Sequence, residues 1–265
     1  MTNIETIATA GALCEMSLFA TYLGANGWLL EFDRLRVLVD PWLRGSLSFP
    51  PGEWLLKGDL PQSRSVPEGL DLLLLTQGLA DHAHPPTLEQ LPRDLPVIGS
   101  QAAIGVVNKM GFERATVLRP GQRCVHQGLN IRATAGAPVP CVENGYLLEH
   151  AAGRLYLEPH GFLDPSLEPQ PLDVVITPMV DLGLPLLGPF VRGCSVVPKL
   201  VDKFQPTTVV ASTAGGDVRF SGALSQLLQL QGSPQRTGDA LPDAVQWIDP
   251  VPAQRFELPC FAGKP

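Results

Sequence analysis

A chain of 265 residues with 45% hydrophobic and 17% charged content is long enough to bury a large core and too apolar to stay unfolded. Its formal charge of −7, with no run of Lys or Arg, argues against a surface for phosphate backbones, and so against nucleic acid as a partner. Five cysteines (Cys14, Cys124, Cys141, Cys194 and Cys260) are scattered, odd in number and without a Cys-x-x-Cys pair, which points to free thiols in a reducing compartment.

Residues 1–17 read as a weakly patterned lead-in, and 18–265 as a single domain. The lead-in has no positive n-region and carries Glu5 and Glu15, unlike a secretory signal. No apolar run approaches the roughly 20 residues of a membrane span. The expectation is a soluble, cytoplasmic protein with no membrane partner. From Leu18 the pattern is β-rich: 18–22, 28–32 and 36–40, the last two joined at Asp33-Arg34 as an antiparallel hairpin. Residues 41–69 are rich in Pro, Gly and Ser with Trp42, Phe49 and Trp54 embedded. A loop this long is either the wall of a pocket or is pinned to the core by its aromatics.

Asp71 then leads into Leu72-Leu73-Leu74-Leu75, a strand buried on both faces. It breaks at Gly78, and the chain presents Asp81, His82 and His84 before Pro85-Pro86 opens a short helix. Further strands are expected at 96–99, 116–118, 123–126 and 129–133, with a helix over 101–110 capped by Ser100 and ended by Gly111. Residues 146–149 and 154–158 form a hairpin across Ala152-Gly153 that runs into Pro159-His160-Gly161. A buried strand follows at 173–176. Residues 178–198, rich in Gly, Pro and Leu, read as a loop or broken helix, followed by a short helix over 199–204. After a last core strand at 208–212, Ser221 caps a helix through Gln229 whose face carries Leu224, Leu227 and Leu228. The Pro-rich tail holds edge strands at 245–248 and 255–258.

Asp81, His82 and His84 are the only metal-type ligands clustered in sequence, and Glu158 and His160 form a second, smaller group. Each has a plainer reading: Asp81 caps a turn, His82 is a hydrogen-bonded loop residue, His84 marks a helix start, and Glu158 and His160 pair with each other or with Arg. There is no Gly-x-Gly-x-x-Gly fingerprint and no P-loop lysine pattern. None of the cysteines has a local nucleophile signature.

The stretch Thr76-Gln77-Gly78-Leu79-Ala80-Asp81-His82 resembles the metallo-β-lactamase superfamily, whose signature runs Thr-His-x-His-x-Asp-His. The two leading histidines fall on Gln77 and Leu79, while Asp81 and His82 match. Tyr22-x-Gly24-x-Asn26-Gly27 together with Leu38-Val39-Asp40-Pro41-Trp42 is similar to the opening of the lactonase-like branch. The resemblance covers roughly residues 18–230 and implies an α/β fold, a four-layer αββα sandwich. It implies that Asp40 lies under the site and orients the ligand loop; the residues alone fit equally a cap of the turn before Pro41. Of the family's two ions, the first loses its ligands here, because Gln77, Leu79 and the Ala135-Gly136 region offer no imidazole. The second keeps Asp81 and His82, with Glu158 for the bridging aspartate and His160 or His84 for a missing last ligand, where the chain reads Thr213-Ala214-Gly215-Gly216-Asp217.

The expected metal set is therefore Asp81, His82, His84, Glu158 and His160, holding one divalent ion (Zn²⁺, Mn²⁺ or Fe²⁺), with Asp81 or Glu158 as general base. Two functions follow. One is a mononuclear metal-dependent hydrolase of a small ester, lactone or phosphoester. The other is a metal-free pseudoenzyme that binds a small molecule or a protein.

Overall fold

The computed structural model describes residues 16–49, 51–138, 142–185, 188–212 and 218–260. Two seven-stranded sheets make its body. One runs, edge to edge, Arg255–Leu258, Leu18–Gly24, Gly27–Phe32, Leu35–Val39, Leu72–Leu75, Val97–Gly99 and Ala115–Val117. The other runs Gln246–Ile248, Thr208–Ser212, Val174–Pro178, Gly153–Leu157, Val142–His150, Leu129–Pro138 and Arg123–His126. In each sheet antiparallel hairpins give way to parallel strands: Leu35–Val39 pairs in parallel with Leu72–Leu75, and Gly153–Leu157 with Val174–Pro178.

The four leucines show how the layers arise. Successive side chains of a strand point to opposite faces. Leu72 and Leu74 enter the core between the sheets, against Val174 and Ile176 of the facing sheet. Leu73 and Leu75 enter a second core with Ala103, Ile104 and Val107 of the helix Gln101–Lys109. On the other outer face, Leu147, Tyr156 and Val175 pack against Val196, Leu200 and Phe204 of the helix Gly193–Phe204. Helix, sheet, sheet, helix is the expected αββα order. The helix over 101–110 starts where Ser100 accepts the Ala103 N–H through its hydroxyl.

Two expectations need correction. Residues 178–198 are neither loop nor broken helix. The strand Val174–Pro178 is followed by a hairpin, Asp181–Leu184 with Gly188–Arg192, and the helix expected over 199–204 begins at Gly193. Gly188 takes the positive φ of 75° that the turn requires. Gly193 brings the helix start so close to the Pro178 carbonyl that a Cβ there would collide with it. Pro198 is carried within the helix because Val196, Val197, Leu200, Val201 and Phe204 make one continuous buried face.

The second correction concerns the helix expected from Ser221 to Gln229. The chain instead forms a strand Arg219–Ser221, a 3-10 turn Ala223–Gln226 and a strand Gln229–Gln231. Gly222 (φ 100°) has the Leu55 carbonyl within 2.6 Å of where a Cβ would sit, and Ala223 and Leu224 donate their N–H groups to Trp54 and Leu55. Cross-chain bonds thus displace the helical ones. Leu227 is 53% exposed, so the spaced leucines do not line a core face.

Those two rearrangements build two small three-stranded sheets outside the main body. One is Ser46–Ser48, Lys57–Asp59 and Arg219–Ser221; the other is Gly188–Arg192, Asp181–Leu184 and Gln229–Gln231. Among the described residues no helix is long and apolar enough to cross a membrane. The lead-in up to residue 15 and the 213–217 segment lie outside the described residues.

Candidate metal centre

Asp40, Thr76 and Glu158 each follow the last residue of a parallel strand, the end of an α/β sheet where ligand sites form. Asp40 has a φ of 40° and is fully buried. One carboxylate oxygen accepts the Thr76 N–H at 2.8 Å; the other accepts the Thr76 hydroxyl and lies 2.8 Å from His82 Nδ1. It reaches across to the next strand and does not cap its own turn. A carboxylate on one imidazole nitrogen fixes the ring and turns the other nitrogen toward whatever it binds.

The loop from Gly78 to His84 is held against the helix Gln101–Lys109. A Cβ at Gly78 would sit 2.8 Å from the Ala102 backbone, so only glycine allows this approach. The loop then turns tightly, with the N–H groups of His82 and Ala83 donated to the Leu79 carbonyl. His82 is completely buried, and its outward nitrogen Nε2 lies 3.2 Å from Asn26 Nδ2 and 3.4 Å from Asp81. Burial alone would lower the His82 imidazole; the Asp81 and Asp40 carboxylates together outweigh it and raise it to about 10.

From the opposite sheet come His160 and a residue the sequence reading passed over, Glu143. The strand Val142–His150 is bonded onto the first sheet: Asn144 N–H donates to the Thr76 carbonyl, and the Tyr146 hydroxyl donates to the Leu75 carbonyl. That bridge sets the fully buried Glu143 beside the ligand loop, where Gln77 Nε2 donates to it. Its other oxygen lies 2.7 Å from His160 Nδ1, a close ion pair when the imidazole is charged. The His160 ring stacks on His82 with centroids 5.4 Å apart. Burial works against a charged His160, and the Glu143 carboxylate more than offsets it, raising the imidazole above its usual value.

One nitrogen each from His82 and His160 and one oxygen from Glu143 lie within 4.8 Å of one another. Ions of the zinc type bind such atoms at about 2.0–2.2 Å, so a cluster of this span suits a single ion. Buried polar atoms normally have partners. Here Asp81 Oδ1 and Glu158 Oε1 are buried without a hydrogen bond, and Glu143 Oε2 and His160 Nδ1 meet only each other. Four acidic side chains (Asp40, Asp81, Glu143 and Glu158) stand around the two imidazoles, a donor set of oxygens and nitrogens of the kind that holds a divalent cation.

The residues expected from the sequence divide. His82 and His160 meet, and Asp81 stands beside them. Glu158 lies behind: its Oε2 accepts the N–H groups of His160 (3.1 Å) and Phe162 (2.5 Å), so it holds the backbone that carries His160. Burial raises its carboxyl to about 7, with the His160 charge pulling the other way. His84 is elsewhere. Its nitrogens face the Thr87 hydroxyl at 3.0 Å and the Ser46 carbonyl at 3.3 Å, its ring packs on Trp42, and burial lowers its pKa.

Over this group opens a cavity of about 320 Å³. Asn26, Asp81 and His160 form its polar end, and apart from Ser225 the walls are aromatic and aliphatic.

A family model described as the beta-lactamase superfamily domain matches residues 20–212. The chain belongs to that superfamily. Its fold is the metallo-β-lactamase fold, and solved structures agree over nearly the whole chain. A metallo hydrolase from the archaeon Ignicoccus hospitalis superposes with a TM-score of 0.61 at 15% identity, covering 91% of this chain and 98% of that one. A possible metal-dependent hydrolase from Veillonella parvula gives 0.64 at 14% identity, covering 92% and 100%. At such identities the likeness is one of fold. The UPF0173 metal-dependent hydrolase of Cereibacter sphaeroides is 29% identical over 140 residues, 48% of this chain and 56% of the relative. The match thus spans little more than half of that relative's length.

Proposed function

We propose that this superfamily member is a metal-dependent hydrolase with one divalent ion on His82, Glu143 and His160, acting on a small ester, lactone or phosphoester. The observation that carries it is the convergence of three buried donor groups from the two halves of the fold, one of which, His160, also lines a cavity. Metal-dependent hydrolases among the similar proteins support the same class. A donor set of two nitrogens and one oxygen suits Zn²⁺, Mn²⁺ or Fe²⁺. When bound, such an ion lowers the pKa of its water toward about 7 and polarises the scissile group.

The chain's own residues supply the rest. Asp40 and Thr76 hold His82 in place. Glu158 holds the loop that carries His160. Asp81 reaches the cavity and keeps one oxygen without a partner, so it is the group placed to take a proton from attacking water. Glu158 does not reach the cavity, which leaves the base role to Asp81.

A metal-free binding protein is the second reading. What favours it is the contact between Glu143 and His160, which neutralises both without an ion. Elemental analysis of protein purified without a polyhistidine tag separates the two. One equivalent of metal in the wild type, lost in Glu143→Gln and in His82→Ala, is the expected result. No metal after incubation with Zn²⁺, Mn²⁺ and Fe²⁺ would end the hydrolase reading.

A further inference from the structure

The two small sheets lie outside the αββα body, and both wall the cavity over the metal centre. Leu182, Phe190 and Val191 come from the hairpin following the strand Val174–Pro178. Phe220, Leu228 and Leu230 come from the segment that replaces the expected helix. Trp42, Phe49 and Leu56 of the long 41–69 loop complete the wall. Phe220 is 44% and Leu230 59% exposed, so the apolar lining continues out to the rim. Cavities that take small ligands have this make-up, a mostly apolar wall with a few convergent polar groups.

The polar end is as informative. Its groups are an amide, a carboxylate and an imidazole, with the Ser225 hydroxyl elsewhere in the wall, and among the described residues lining the cavity there is no Lys or Arg. Phosphate sites use Arg, Lys or converging backbone N–H groups to meet the anion's charge. Beside His160 the cavity presents the Asp81 carboxylate and no guanidinium or ammonium, so the several anionic oxygens of a phosphoester would lack the protein cations that such sites use.

We infer that the substrate is an uncharged carboxylic ester or lactone bearing an apolar chain, with the carbonyl at the His160 and Asp81 end and the chain along the leucine and aromatic wall. This narrows the hydrolase reading and rests on it. In the reaction, the oxygen of one water adds to the acyl carbon and the acyl carbon–oxygen bond breaks. The departing alkoxide takes a proton, and the products are a carboxylic acid and an alcohol. No oxidant or second substrate is needed.

The test separates the cavity from the chemistry. Methyl ketones from 2-butanone to 2-decanone mimic the ester carbonyl, cannot be hydrolysed, and are titrated calorimetrically into the metal-loaded protein. Affinity should rise about three- to fourfold per methylene, the fold-change for removing one CH₂ from water, until the cavity is filled. Leu228→Asp and Leu230→Asp, the second at an exposed position that tolerates a charge, should each flatten that dependence. In parallel, p-nitrophenyl octanoate should be cleaved with a higher kcat/KM than p-nitrophenyl acetate, and p-nitrophenyl phosphate should not be cleaved. Ketone affinity independent of chain length, or cleavage of the phosphate ahead of the esters, overturns the assignment. Chain-length-dependent binding in a protein that holds no metal and cleaves nothing would sink the hydrolase reading while supporting the apolar-chain site.

Discussion

Asp40 does not line the cavity, yet it holds the candidate site together from behind. Fully buried, it meets the Thr76 N–H, the Thr76 hydroxyl and His82 at once. Removing one partner of a buried, hydrogen-bonded pair costs about 3–5 kcal/mol, because the other is left without compensation. Asp40→Ala is expected to lose stability in that range by urea unfolding, and Asp40→Asn, which keeps the Thr76 contact, to lose less. A loss below about 1 kcal/mol for the alanine variant would show that Asp40 does not hold the loop. His82 was legible in the stretch Thr76–His82 that resembles the superfamily signature, and Asp40 in the resemblance around Leu38–Trp42. Glu143 was not. It follows a Pro-Val-Pro-Cys-Val run and precedes Asn144-Gly145, which reads as a turn. Its burial comes from a bond between sheets, Asn144 to Thr76, that no local pattern encodes. His84 failed in the opposite sense: close in sequence to His82, it is turned away by the helix start at Pro85, where Thr87 claims it.

Among the elements, the ligand loop and the helix Gln101–Lys109 form one unit joined at Gly78. A methyl group there would press on the Ala102 carbonyl, which is backbone and cannot swing aside. Overpacking of this kind costs about 1–3 kcal/mol. Gly78→Ala should therefore lower the urea midpoint and also move the loop that carries Asp81 and His82. A variant with unchanged stability and unchanged metal content would refute the close packing. Strands buried on both faces were the readable elements, since short unbroken leucine or β-branched runs bounded by turn residues mark them locally, as at Leu72–Leu75 and Thr208–Ser212. The segments on which the sequence reading erred are those whose hydrogen bonds go to distant chain. Leu224, Leu227 and Leu228 have helical spacing, but Trp54 and Leu55 hold the backbone of Ala223 and Leu224. The same segments wall the cavity, so the part of the fold least legible in the sequence is the part that shapes it.

Across the whole molecule, stability rests on the core between the sheets, and the candidate metal centre spans the same junction. Leu74, fully buried there, should cost about 2–5 kcal/mol when replaced by Ala, read from the urea midpoint. An equal loss of under 1 kcal/mol at Leu73 and Leu74 would mean that neither core is tightly packed. His82 follows a strand of one sheet, whereas Glu143 and His160 belong to the other. An ion on all three would tie the sheets together and bind only while they are docked. Binding of that kind adds stability by mass action, about 2.7 kcal/mol with free ion at 100 times its Kd. For a chain of this size that is roughly 5–10 °C in Tm. Calorimetry of wild-type protein with and without excess Zn²⁺ should show this rise as a shift of one whole transition, because the ligands come from both halves. Glu143→Gln should melt at the same temperature with or without the ion. A rise that persists undiminished in Glu143→Gln would place the ion elsewhere. A rise confined to one of two resolved transitions would mean that the sheets unfold separately and the centre does not join them.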